Sequence, residues 1–158
     1  MKGQVSFEYF VALMIFITFI LFVALQLISK SMPYRRESKY STLLSEAYQI
    51  SEILINDPGE PINWDSSNVK RIGLLDETKN RTGLLSRSKI DKLAKMNYQS
   101  VANGLGIDTS KYRFSIIIWN STSVMVNVTN ASTSETVAEI NRLAVFGREV
   151  VNVSVMVW

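Results

Sequence analysis

The chain has 158 residues, with 17 Lys+Arg, 14 Asp+Glu, a formal charge of +3, and neither Cys nor His. That length allows one ordinary domain or a small domain with an appendage. The two absences exclude a disulfide framework, thiolate or imidazole catalysis, and zinc sites of the Cys/His kind. A metal would have to be held by oxygen alone, and no calcium-loop spacing of acids is present; no cofactor is expected. From Glu37 to Trp158 there are 13 basic and 13 acidic residues, so the excess comes from Lys2, Lys30, Arg35 and Arg36, less Glu8. Basic flanks around an apolar stretch on a neutral body point to a membrane, not to a phosphate groove, and no nucleic-acid partner is expected.

In chain order, the first predicted element is an apolar helix. From Phe7 to Ile28 only Glu8, Thr18 and Gln26 interrupt the apolar run, and Tyr9 to Ser29 is uncharged for 21 residues. As a helix this stretch would rise about 32 Å, which matches the ~30 Å hydrocarbon core of a bilayer. It is apolar all round, unlike a surface helix. It is also too long for the apolar part of a secretory signal peptide, and Gln26, Leu27 and Ile28 offer no small-residue cleavage site. The helix is therefore expected to stay on the protein. Glu8 stands out, because a carboxylate at the margin of such a helix costs several kcal/mol unless it is neutralised or paired; it either sits in the headgroup layer or awaits a positive partner.

The segment Met1-Lys2-Gly3-Gln4-Val5-Ser6-Phe7-Glu8-Tyr9-Phe10 resembles the class III signal peptide of archaeal prepilins, in particular the euryarchaeal group with Q-x-S-x-E directly before the hydrophobic helix. The resemblance implies cleavage by a prepilin peptidase between Gly3 and Gln4. Glu8 would then be the fifth mature residue, the position where type IV pilins and pseudopilins carry a glutamate. Its carboxylate would meet the α-amine of a neighbouring subunit in a low-dielectric filament core, where each charge needs the other. The resemblance also implies other pilin subunits, an assembly ATPase, a membrane platform protein and membrane lipid as partners. Charge bias alone points the other way: Lys30, Arg35, Arg36 and Lys39 follow the helix and only Lys2 and the initiator amine precede it, which favours a cytoplasmic body. The resemblance and the glycosylation sequons below favour an extracellular one, and the extracellular placement is adopted.

After the span, Ser31-Met32-Pro33 is expected to kink or interrupt the helix. Tyr40, Leu43, Ala47, Ile50 and Leu54 recur at spacings of three and four, an amphipathic stripe that stops at Asn56-Asp57-Pro58-Gly59. Glu60 to Asn68 reads as a loop, Val69 to Leu75 as a short strand, and Lys89 to Met96 as a helix with a capping box from Ser88 to Asp91. A further helix is expected over Tyr98 to Asn103, ending at Gly104. This region also resembles the insert between stalk and sheet in larger archaeal pilin-like proteins. From Lys111 the pattern turns to β: Tyr112, Phe114, Ile116 and Ile118 alternate, then Val124, Val126 and Val128, and finally Val151, Val153, Val155 and Val157 after a turn at Gly147-Arg148. Thr136 to Phe146 is mixed, with a start that could be helical. Period-two alternation with one apolar face describes an antiparallel meander packed on one side.

N-x-S/T occurs at Asn80, Asn120, Asn127, Asn130 and Asn152. Five such triplets, all after the span, suggest a glycosylated, exported surface. Asn127 and Asn152 fall on the polar phase of their strands. The alternative is that Asn, Ser and Thr simply populate turns and solvent faces. No catalytic frame appears, since Ser86-Arg87-Ser88-Lys89 is better explained by helix capping than by Ser–Lys chemistry; an enzyme is not expected.

The sequence pattern predicts an α+β fold with a long N-terminal helix packed on a C-terminal antiparallel β-sheet, and the resemblance implies that it is type IV pilin-like. The expected parts are a signal peptide (1–3), a transmembrane or filament-core helix (4–29), an amphipathic stalk (30–57), an insert (58–110) and a sheet-bearing head (111–158). The expected function is that of a structural subunit, a minor pilin or pseudopilin with an adhesive role, of a surface filament. It would be a single-pass membrane protein before assembly. The alternative is a membrane-anchored extracellular binding module that does not polymerise.

Overall fold

A computed structural model describes residues 2–79, 81–130 and 136–158, with the side chains of 2–6, 30–36 and 79 left aside. The chain forms two compact units, Met1–Lys39 and Tyr40–Trp158. Helix α1 is Lys2–Asn56. It runs through Pro33, so the expected interruption there does not occur. A proline inside a helix loses one hydrogen bond and crowds the carbonyl four residues back, but the bonds on either side can carry the helix past it.

The second unit is built on the last turns of α1. Leu43, Ala47, Ile50 and Leu54 are buried as expected, but Tyr40 is 44% exposed, so the buried stripe begins one turn later than the periodicity suggested. These four side chains belong to one core with Phe114, Ile116, Ile118, Val126, Val128, Val151, Val153, Val155 and Val157. Each fully buried Leu, Ile, Val or Phe contributes about 1.5–3 kcal/mol relative to exposure, so the valine alternation is what binds helix to sheet.

The sheet has five strands: β1 Leu84–Leu85, β2 Phe114–Trp119, β3 Val124–Thr129, β4 Ala138–Phe146 and β5 Glu149–Val157. Their order is β1-β4-β5-β2-β3, so the expected meander is corrected. β5 lies between β4 and β2, pairing Ala144 with Val151 on one side and Ile116 with Val155 on the other. That central place explains why its four odd-numbered valines are fully buried. The sheet is also mixed and not wholly antiparallel, because β1 joins β4 in parallel, Leu84 opposite Val145. The two buried leucines of β1 cover an edge of β4 that would otherwise offer unpaired backbone groups. The 136–146 segment enters as a strand at Ala138, not as a helix, and Ala138 is buried opposite Val157.

The expected strand at 69–75 is absent; the segment makes only isolated bridges, Glu60 with Arg71 and Leu75 with Leu85. Its backbone N–H groups are used at the end of α1: Leu74 donates to the Leu54 carbonyl at 2.9 Å and Leu75 to that of Asp57 at 3.1 Å. It thus satisfies carbonyls that a helix end leaves open. Gly73 permits this approach, since a Cβ there would fall 2.1 Å from the Asp57 oxygen. Trp64, fully buried, donates its indole N–H to the Gly73 carbonyl at 3.0 Å and fixes the loop from the other side.

Two short helices complete the unit. α2 is Arg87–Lys95 with N-cap Ser86, whose side chain makes no cap bond. The expected Ser88–Asp91 capping box is therefore wrong, because Ser88 lies inside the helix and the residue three after the true cap is Lys89. α3 is Tyr98–Leu105, capped by Asn97 and ended by Gly106 at φ 71°, two residues beyond the expected stop at Gly104. Only a residue tolerant of the left-handed region closes a helix this way without strain. Tyr98 stacks on Phe114 at 4.5 Å and accepts the Phe114 N–H at 3.1 Å, tying α3 to the sheet.

Candidate functional site

In the first unit, Phe7–Ser29 is an apolar helical stretch of 23 residues with a mean hydropathy of 2.8, and none of it is buried within the chain. It is long and apolar enough to cross a membrane. Glu8 is exposed in its first turns. The predicted cleavage pair Gly3 and Gln4 lies within α1, with side chains outside the described residues. The two aliphatic hydroxyls in the span are satisfied locally: Thr18 donates to the Met14 carbonyl at 2.8 Å and Ser29 to that of Gln26 at 3.0 Å. Among the described residues, the Glu8 and Gln26 side chains have no hydrogen-bond partner. Both are polar groups that a hydrocarbon environment would force to find one.

The second unit is held to its helix by a charged clamp that sequence reasoning missed. Arg142 on β4 donates from Nη2 to Glu52 Oε1 at 2.6 Å, and its guanidinium lies 4.7 Å from the Tyr48 ring centroid. Asn56 donates to the other Glu52 oxygen. The bond from Arg142, helped by those from Asn56 and Tyr48, holds the Glu52 carboxyl below its ordinary value of 4.5. The only available signal was that Glu52 and Tyr48 stand four apart beside the apolar stripe; the strand partner, 90 residues away, could not be read.

Lys89, just 3% exposed, donates to Glu77 at 2.6 Å and to the Leu75 carbonyl at 2.9 Å. Its ammonium is thus committed to fastening the loop. Ser86 Oγ instead lies 3.1 Å from Ser88 Oγ. No group of three or more metal-ligating side chains occurs among the described residues.

The sequons fall in different surroundings. Asn127 and Thr129 are both exposed on edge strand β3, as their polar phase predicted. Asn130 is exposed as well. Asn120 sits in the β2–β3 turn, where its carbonyl accepts from Thr122 and Ser123 N–H groups and its Nδ2 donates to Glu149 at 3.0 Å. Asn152 is half-buried, and the hydroxyl of its triplet, on buried Ser154, donates to Glu139 at 3.0 Å. Asn80 lies outside the described residues. The sheet face carrying Asn152 is less polar than the alternation implied, since it also exposes Leu143 at 70% and Val150 at 58%.

No family model matches the chain, and no solved structure matches it. A protein of Archaeoglobus fulgidus, described as an uncharacterized protein, is 28% identical over 162 residues, which covers 90% of this chain and 84% of that protein.

Proposed function

We propose that this chain is a structural subunit, of the minor pilin or pseudopilin kind, of an archaeal type IV pilus-like surface filament. Prepilin peptidase would cut it between Gly3 and Gln4. The observation that carries the reading is Glu8: it is the sole acid within an exposed span, four residues after the candidate new terminus. In a simple anchor a carboxylate there does no more than mark the membrane edge, whereas in a bundle of staggered helices it supplies the counter-charge for an α-amine freed by cleavage. The long helix whose last turns build the core of an α+β unit supports the reading at the level of architecture. A relative in an archaeon, aligned along nine-tenths of this chain, is compatible with the source.

The head would lie outside the cell, with assembly ATPase, platform protein, membrane lipid and other pilins as partners. The absence of a catalytic frame and the commitment of Lys89 to Glu77 and Leu75 favour packing over chemistry. A second reading, an anchored extracellular binding module, draws support from the exposed Leu143 and Val150 on the outer sheet face.

Two measurements test the proposal. N-terminal sequencing of the mature protein should begin at Gln4; a start at Met1 or beyond Ser29 overturns the prepilin route. Glu8→Val should leave the chain in the membrane but deplete it from sheared surface filaments. Undiminished incorporation would remove Glu8 from the account of assembly.

A further inference from the structure

Ile116 and Ile118 belong to the core, so Ser115 and Ile117, one place out of phase on β2, belong to the outer face of the sheet. Ser115 stands between Met156 of β5 and Thr129 of β3. A small residue among larger neighbours leaves a notch there: Ser115, Ile117, Met156, Val137 and Trp158 wall a cavity of about 240 Å³, completed by exposed Thr129 and Asn130. Two donors on these walls are unanswered. Ser115 is only 4% exposed, and its hydroxyl has no hydrogen-bond partner among the described residues. The indole N–H of Trp158 is buried and equally unbonded, although the Trp158 backbone is tied in both directions to Arg113. Their counterparts elsewhere are served: buried Ser154 on the same face donates to Glu139, and buried Trp64 to the Gly73 carbonyl. Buried polar groups are nearly always bonded, the indole N–H included. Two that are not, on the walls of one cavity, mark a place where the acceptor arrives from outside the chain.

We propose that this cavity binds a neutral sugar unit carrying an acetamido group. Among the described residues no acidic or basic side chain lines it. The carboxylate on the same row of the sheet, Glu139, lies beyond Met156 and already accepts from Asn141 and Ser154. A charged ligand would find no counter-charge and would lose its hydration. What the walls offer is two donors for an oxygen, apolar surface from Ile117, Val137 and Met156, and an aromatic wall in Trp158. The Thr129 hydroxyl and the Asn130 carboxamide add neutral donors and acceptors suited to ring hydroxyls. An acetamido group brings the acceptor oxygen and an apolar methyl together, and its amide carries no charge. The volume lies below the roughly 300–1,000 Å³ of pockets for drug-sized ligands, which suits a single ring. The site lies wholly in the second unit and uses neither Gln4 nor Glu8, so it stands or falls apart from the filament reading.

Calorimetric titration of the full-length, detergent-solubilised chain with N-acetylglucosamine should show saturable binding. Glucose has the same ring without the acetamido group and should bind at least about tenfold more weakly. Trp158→Phe keeps an aromatic wall and deletes the donor; it should weaken binding by about threefold to tenfold. Ser115→Val replaces the hydroxyl with a methyl and should abolish it. The sugar should also raise the thermal midpoint of wild type more than that of Trp158→Phe. No saturable uptake of the acetamido sugar, as in a cavity that holds water alone, would overturn the site. So would glucose binding equally well, or Trp158→Phe binding as wild type does. If Ser115→Val does not fold, Trp158→Phe decides by itself.

Discussion

Glu52 gains its importance from where its partner comes from. Arg142 reaches it from a strand 90 residues later in sequence and shares its cation with the Tyr48 ring, so helix and sheet are joined by a charge pair beside the apolar core. The pair is partly open to solvent, which moderates its strength. The sign of its pH dependence is nonetheless fixed. A carboxyl held below its unfolded value stabilises the fold above that value, and the stabilisation is lost as pH falls through the folded value. The thermal midpoint of the detergent-solubilised chain should therefore be lower for Glu52→Gln than for wild type above pH 4.5, and the two should converge on further acidification. A gap that ignores pH would mean that packing, and not charge, joins the two elements. Lys89 makes the complementary case, with a cation buried to 3% exposure whose partner Glu77 is partly exposed. Lys89→Met keeps the stem but deletes the charged bonds, and should cost about 1–3 kcal/mol in urea unfolding.

At the scale of elements, the legible parts were those whose period and partner are both local or repeated. The stripe Leu43, Ala47, Ile50 and Leu54 and the alternating valines of β5 announce their buried faces because every buried position obeys one spacing. The sequence order of the strands said nothing of β5 moving between β4 and β2, since alternation fixes which side is buried and leaves the neighbour open. Residues 69–75 look like a strand for the same reason: Ile72 and Leu74 are buried two apart. What decides against a strand is that their backbone groups find the end of α1 first. The Ser88 box failed because a short polar side chain can cap or be carried inside a helix, and the neighbouring Lys89 had a buried bond to make. Of the candidate site, Glu8 could be singled out because a charge in an apolar run is visible in one dimension. The Glu52–Arg142 clamp could not be. The helix-end contact gives an element-scale prediction: Gly73→Ala, whose Cβ has no room beside the Asp57 carbonyl, should destabilise the head by at least about 1–3 kcal/mol. Leu54→Ala should cost about 2–5 kcal/mol by leaving a cavity in the same place. A wild-type urea midpoint for Gly73→Ala would show that the segment can move off the helix end without loss.

For the molecule as a whole, the +3 charge resolves into a neutral head and a basic-flanked apolar helix. Cleavage before Gln4 would remove Lys2 and leave 16 basic against 14 acidic side chains. A neutral head has little electrostatic preference for a partner, so its surface chemistry depends on what it exposes and on what is attached to it. The five sequons are equivalent as triplets but not as sites. At Asn127 both the amide and the Thr129 hydroxyl are exposed on an edge strand, so a transferase could reach the two ends of the triplet together. At Asn152 the amide is half-buried and the Ser154 hydroxyl is buried and bonded to Glu139; at Asn120 the side-chain N–H itself donates to Glu149. If the head is exported and glycosylated as proposed, glycopeptide mapping of the native protein should find Asn127 occupied and Asn152 bare, with Asn120 modified less than Asn127. The reverse pattern, Asn152 occupied and Asn127 bare, would mean that sugar is added before the strands pair, so that access in the fold plays no part. A mass equal to the bare polypeptide would remove the sequons as support for an extracellular head. The charge bias that favours a cytoplasmic body would then carry more weight, leaving the Gln4 terminus to decide between the two sides.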